Sequence, residues 1–118
     1  MKLTTVIELI DAQVLTNNSP DVIDKVFISS ACGSDLMSDV LAFAKEEELL
    51  LTGLENIQVV RTAEMKDIKA ICFVRGKSPE QTIIDFAKER GMLILQTKLP
   101  MFIACGILYK AGLMCEEA

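Results

Sequence analysis

Histidine and tryptophan are absent from this chain of 118 residues, and tyrosine occurs once. Without histidine no Ser-His or Cys-His pair can form, and the commonest metal ligand and near-neutral acid–base group is missing. The four cysteines, Cys32, Cys72, Cys105 and Cys115, include no CxxC pair, so zinc or iron–sulfur ligation by one chain is not indicated. A phosphate loop is lacking too: the GKS at Gly76–Ser78 has no earlier glycine at the required spacing, so kinase or ATPase chemistry is not indicated. Positive charge is short, with 12 Lys and Arg against 17 Asp and Glu and a net charge of −5, which opposes accumulation on nucleic acid. Long apolar runs are missing. The longest, Leu99 to Tyr109, is about half of what a bilayer span needs, and Glu8 and Asp11 interrupt the amino terminus where a signal peptide would be apolar. A cytoplasmic chain with reduced thiols is expected, with no nucleic-acid and no membrane partner.

What is present is aliphatic. Hydrophobic residues make up 51% of the chain with only five Phe, a bias that suits a sheet covered by helices on both faces. The length suits a single α/β domain, residues 1–118, with a real core. Apolar runs recur at Leu49–Leu51, Ala70–Val74 and Met92–Leu95, each followed by a polar or glycine corner. Amphipathic segments lie between them, and the repeat of about 22 residues accommodates a strand, a helix and two tight connections. The pattern predicts βαβ units in a three-layer α/β/α arrangement, with a mainly parallel sheet of four to five strands.

Boundary residues place the helices. A first helix is expected from Thr5, with Thr5 and Glu8 in capping-box spacing and Val6, Ile7, Ile10 and Val14 on one face. A brief strand at Gln13–Thr16 and a loop at Asn17–Asp21 follow. Lys25–Ser30 (KVFISS) reads as a strand that ends in the corner Ala31–Asp35. A second helix is expected from Ser34 or Asp35 as N-cap to about Lys45, and Glu46–Glu48 as a solvated turn. A third helix follows Asn56 and ends near Asp67. The fourth carries Ser78 as cap, Pro79 at its first position, Gln81 completing a capping box, and Gly91 past its end. The last begins after Leu99-Pro100 and is apolar on every side until Lys110. A homodimer through this helix is expected, because a domain this small can hardly enclose it.

In an open α/β sheet, ligands bind beyond the carboxyl ends of the strands, at a switch in strand order. The corners gathered there would supply Gly33, Ser34, Asp35, Thr52, Gly53, Asn56, Arg75, Gly76, Lys77, Thr97 and Lys98. Free N–H groups and three cationic side chains could hold a phosphate or carboxylate, although any βα protein needs such residues for turns and caps. Cys32, expected at a helix amino end, is the one cysteine whose setting would activate a thiol. Its simpler reading is a small residue at a turn. Asp35 and Asp39 lie one helical turn apart, more simply a cap and a solvated face than a metal pair. No catalytic constellation, metal site or cofactor site is otherwise indicated.

The run from Leu49 to Tyr109 resembles the DRTGG domain, a small α/β module. That module also occurs in phosphotransacetylase-like proteins and beside CBS domains in regulatory pyrophosphatases, and is similar to the amino-terminal domain of HPr kinase/phosphorylase. The resemblance covers Ser34 to Leu113 and rests most on SDLMSDVL from Ser34, FVRGKSPE from Phe73 and LQTKLPMF from Leu95. Glu55-Asn56 stand where the family tends to carry an acidic-basic pair, and Val74-Arg75-Gly76 where it carries Thr-Gly-Gly. The resemblance implies a DRTGG-like fold and a non-catalytic regulatory or interaction role, since the catalytic residues of multidomain relatives sit in other domains. The leading expectation is therefore a homodimeric regulatory module that senses a small anionic ligand, a nucleotide or phosphorylated metabolite, or binds a protein partner. The alternative is an acyl- or phosphoryl-transfer enzyme related to phosphotransacetylase or HPr serine kinase. A further reading makes Cys32 and Cys105 a redox or metal-sensing pair.

Overall fold

Two runs of four residues with no exposed member form the middle of the molecule: Leu49–Thr52 and Ala70–Phe73, buried on both faces as the centre of a parallel sheet requires. We describe the fold from a computed structural model covering residues 1–44 and 48–114. In chain order the elements are α1 (Leu3–Leu9), β1 (Gln13–Val14), α2 (Pro20–Asp24), β2 (Ala31–Gly33), α3 (Met37–Phe43), β3 (Leu49–Thr52), α4 (Ile57–Met65), β4 (Ala70–Phe73), α5 (Gln81–Glu89), β5 (Leu93–Gln96) and α6 (Met101–Lys110). The sheet order is β1-β5-β4-β3-β2, with β2 to β5 parallel and β1 antiparallel at the far edge.

From β2 to β5 the chain steps across the sheet in one direction. Right-handed crossovers then put the intervening helices on one face, and the packing agrees. Met37 and Val40 of α3, Val59, Val60 and Ala63 of α4, and Ile83 and Ala87 of α5 pack on Leu50, Ile71, Phe73 and Ile94. Leu3, Val6 and Ile10, Ile23 of α2, and Ala104 and Leu108 of α6 cover Leu49, Leu51, Cys72 and Leu95 on the other face. The period-two alternation along each strand thus feeds two cores, and the three-layer α/β/α architecture expected from the sequence is observed.

Several boundaries differ from expectation. The first helix starts at Leu3, with no side-chain cap, so Thr5 lies inside it. Burial of Leu3, Val6 and Ile10 sets its register, and the preceding backbone is fastened instead by Leu3 N donating to Val26 O and Ile28 N to Met1 O. Val14 leaves this helix for β1, opposite Leu95. In the expected loop, Ser19 accepts from Val22 N with Pro20 at the first position of α2, so part of the loop signal was a helix start.

The strand expected at Lys25–Ser30 is not regular. It makes only isolated bridges, Lys2 with Phe27 and Ser30 with Met114, and the ladder onto β3 belongs to Ala31–Gly33. Glycine is required at position 33 because α6 lies directly against it. A Cβ on Gly33 would stand 2.8 Å from Cys105 Sγ and 3.0 Å from Met101 Sδ. Cys32 is consequently inside a strand and not at a helix amino end, which removes the reason for an activated thiol.

α3 begins at Met37, after Leu36, and neither Ser34 nor Asp35 caps it. Its expected end at Lys45 lies outside the described residues, as do Glu46 and Glu47 of the acidic turn. Glu48 is no mere solvated residue: it accepts from Ser29 N at 2.8 Å and pairs with Lys69. Asn56 caps α4 by accepting from Gln58 N, and Met65 is its last residue, before Asp67 turns the chain at φ 56°. α5 begins at Gln81, not Pro79. Glu80 takes the N-cap position without a side-chain bond, and Gln81 Nε2 donates to Asp85. The helix opens late because the loop before it is fastened to β5: Gln96 Nε2 donates to the carbonyls of Gly76 and Lys77. Gly91 closes α5 at φ 71°, as a left-handed C-terminal residue does.

Candidate functional site

Parallel pairing with in-step register places the carboxyl ends of β2 to β5 along one edge, with Thr52 opposite Phe73 and Phe73 opposite Gln96. Three strand spacings separate β2 from β5, about 14 Å in all. All eleven candidate ligand residues lie along this edge. No reversal of strand order occurs within the parallel strands, so the edge is a row of turns without a central crevice.

Most of the polar groups in those turns bond to one another. Asp35 Oδ1 accepts from Gly53 N at 2.6 Å and from Thr52 Oγ1 at 3.2 Å, joining the β2 and β3 corners. Thr52 Oγ1 in turn accepts from Leu54 N. Ser34 Oγ accepts from Leu36 N, and Ser34 N donates to Leu51 O. Arg75 N donates to Leu99 O and Gly76 N to Thr97 O, both at 2.8 Å. Thr97, 1% exposed, donates its hydroxyl proton to Ile10 O at 2.6 Å and accepts from Leu99 N. Lys77 Nζ lies 3.6 Å from Glu55 Oε1. Arg75 and Lys98 are exposed and make no ion pair among the described residues. Arg75 sits at φ 59°, ahead of Gly76 at 69°, so the β4 corner holds two successive left-handed residues, one of them not glycine.

A second feature lies beside the edge strand β2. A cavity of about 580 Å³ opens between α3 and α6, with Val40 and Phe43 on one side and Phe102, Cys105 and Tyr109 on the other. Of the expected site residues, only Gly33 and Ser34 line it. α3 and α6 are far apart in sequence, and no local signal in either segment announced a concave surface between them.

Neither Cys72 nor Cys105 is an activated thiol. Burial pushes the Cys72 pKa up to about 12, with a charge on Cys105 adding to the effect, and burial raises Cys105 as well. Cys72 and Cys105 are free thiols, and among the described residues no group of three His, Cys, Asp or Glu could hold a metal ion. Asp35 and Asp39 do not converge on a common site: the first is bound to the β3 corner and the second lines the cavity. No helix among the described residues is long and apolar enough to cross a membrane.

The fold defines a three-layer α/β module, and it is shared by a regulatory protein. The chain is similar, with a TM-score of 0.73 and 17% sequence identity, to the crystal structure of the CBS and DRTGG domains of the regulatory region of Clostridium perfringens pyrophosphatase, complexed with activator, diadenosine tetraphosphate. The likeness covers 91% of this chain and 45% of that one, so the chain spans less than half its length. No family model and no curated protein matches. The resemblance drawn from SDLMSDVL, FVRGKSPE and LQTKLPMF is therefore met at the level of the fold.

Proposed function

We propose that the chain is a regulatory module, a homodimer joined through α6, that senses a small anionic ligand at the carboxyl edge of its sheet. The ligand class is a nucleotide or phosphorylated metabolite. The observation that carries this reading is that four parallel strands end side by side, with the cations Arg75 and Lys98 exposed beyond them and in no ion pair among the described residues. Because the backbone N–H groups of Ser34, Gly53, Leu54, Arg75, Gly76 and Lys77 already have partners within the chain, a ligand is held chiefly by the side chains of Arg75 and Lys98. The related fold supports the nucleotide class, since that regulatory region was crystallised with diadenosine tetraphosphate. A protein partner bearing phosphate or carboxylate groups would meet the same two cations.

Thermal shift and calorimetry with nucleotide polyphosphates and acyl phosphates test the reading. At least one nucleotide should raise the melting temperature. Replacing both Arg75 and Lys98 by Ala should weaken its binding about tenfold or more, as loss of charge-assisted contacts does, while the unliganded melting temperature stays near that of the wild type. No shift with any of them, on protein shown to be folded, would remove the ligand. Turnover of acetyl phosphate with coenzyme A, or of ATP, that disappears in Arg75→Ala would put a transferase in its place.

A further inference from the structure

α6 carries a glycine for which its own chain gives no reason. Gly106 stands within the helix, where glycine is among the poorest residues. Its φ is not positive, and a Cβ placed on it would meet none of the described residues within 4 Å. Gly33 differs, since there α6 itself occupies the space. A bare stretch of helix backbone lets another element approach closely, because interhelical distance is set by the side chains at the crossing. Phe102 and Tyr109, four residues before and three after, share that face of the helix and are 86% and 67% exposed.

The ends of the surrounding cavity carry opposite charge. α6 runs antiparallel to β2: Gly33 faces Met101 and Cys105 near its start, and Ser30 bridges Met114 just past its end. α3 also starts at the carboxyl end of β2, so Asp39 lines the cavity toward the end where α6 begins. Lys110, the last residue of α6, lines the opposite end.

We propose, resting on the dimer reading above, that two copies pack α6 against α6 in antiparallel fashion and cross at Gly106. Phe102 of one copy lies against Tyr109 of the other, and Lys110 of one copy beside Asp39 of the other. A twofold interface must be self-complementary. Aromatics at near-equal distances on either side of a glycine, with opposite charges at the two cavity ends, satisfy that condition. Each copy then covers the mouth of the other's cavity, with the exposed aromatics as anchors.

Sedimentation equilibrium of the full chain over a range of concentrations tests this. The wild type should approach twice the 13.0 kDa chain mass. Gly106→Gln should weaken association about tenfold or more without lowering the melting temperature, because the new side chain enters open space. Lys110→Asp should also weaken it, and adding Asp39→Lys should restore it. A dimer indifferent to Gly106→Gln and not restored by the charge exchange overturns the crossing and leaves the dimer standing. A wild type that stays monomeric at every concentration removes both. Ligand sensing at the strand ends is read by thermal shift and is judged separately.

Discussion

The carboxyl edge of the sheet and the flank formed by β2, α3 and α6 lie side by side, yet they treat their unsatisfied surface in opposite ways. Along the edge, carboxylate, hydroxyl and amide groups find partners inside the chain, and Asp35 and Thr97 each tie one segment to another. On the flank, apolar groups remain uncovered: Phe102, Tyr109 and Phe43 are all more than half exposed. Hydrogen bonds are directional and can be closed within a few residues, whereas apolar area needs a second surface of matching shape. A fold of this size therefore completes its polar turns itself and leaves its apolar surplus for something else.

That contrast can be broken in three places. The largest effect is expected on the flank from Gly33→Val, which drives a branched side chain into Cys105 Sγ and Met101 Sδ. Overpacking of this kind costs about 3 kcal/mol, and Cys105→Ala should recover part of it; equal urea midpoints for Gly33→Val and wild type would show that α6 does not need the glycine. Next, on the edge, Thr97→Val leaves the buried Ile10 carbonyl and Leu99 N–H without their partner and should cost about 2 kcal/mol. If chemical denaturation finds no loss, the edge is not held from within.

The smallest effect concerns the opposite ends of the strands. Burial alone would raise the Glu48 pKa, but Lys69 and the bonds from Ser29 outweigh it and hold it down at about 2 against 4.5 for a free carboxyl. Between those values the unfolded chain binds the extra proton. The contribution is thus complete above pH 4.5 and disappears as the pH falls toward 2. Because Lys69 is half exposed, solvent and salt screen the pair. Urea midpoints of wild type and Glu48→Gln should converge as the pH is lowered from 6 to 3; a constant gap would exclude the carboxylate as the cause.

Legibility in the sequence followed the range of the interactions. Leu49–Leu51, Ala70–Val74 and Met92–Leu95 announce strands because burial on both faces leaves an unbroken apolar run, and Asn56 and Gly91 announce helix ends through bonds and dihedrals within a few residues. Ala31–Gly33 could not be read the same way. Its three small residues look like a turn, and they form a strand by pairing with β3, with α6 from the other end of the chain packed on Gly33. The Val26–Ile28 segment, with its β-branched pattern, was claimed by the amino terminus instead. The edge residues were found, but not that Asp35, Thr52 and Thr97 are already bonded, and the α3–α6 cavity depends on helices that only the completed fold brings together.

The one-way march of β2, β3, β4 and β5 bears on how the chain assembles. Each strand's next neighbour is the next one synthesised, so the sheet can lengthen in chain order, each step closing one helical crossover. Gln13 and Val14, although made early, pair with Gln96 and Leu95 and must wait until β5 exists. β1 can therefore complete the sheet only once β5 is in place, and its pairing closes the longest loop in the sheet ladder.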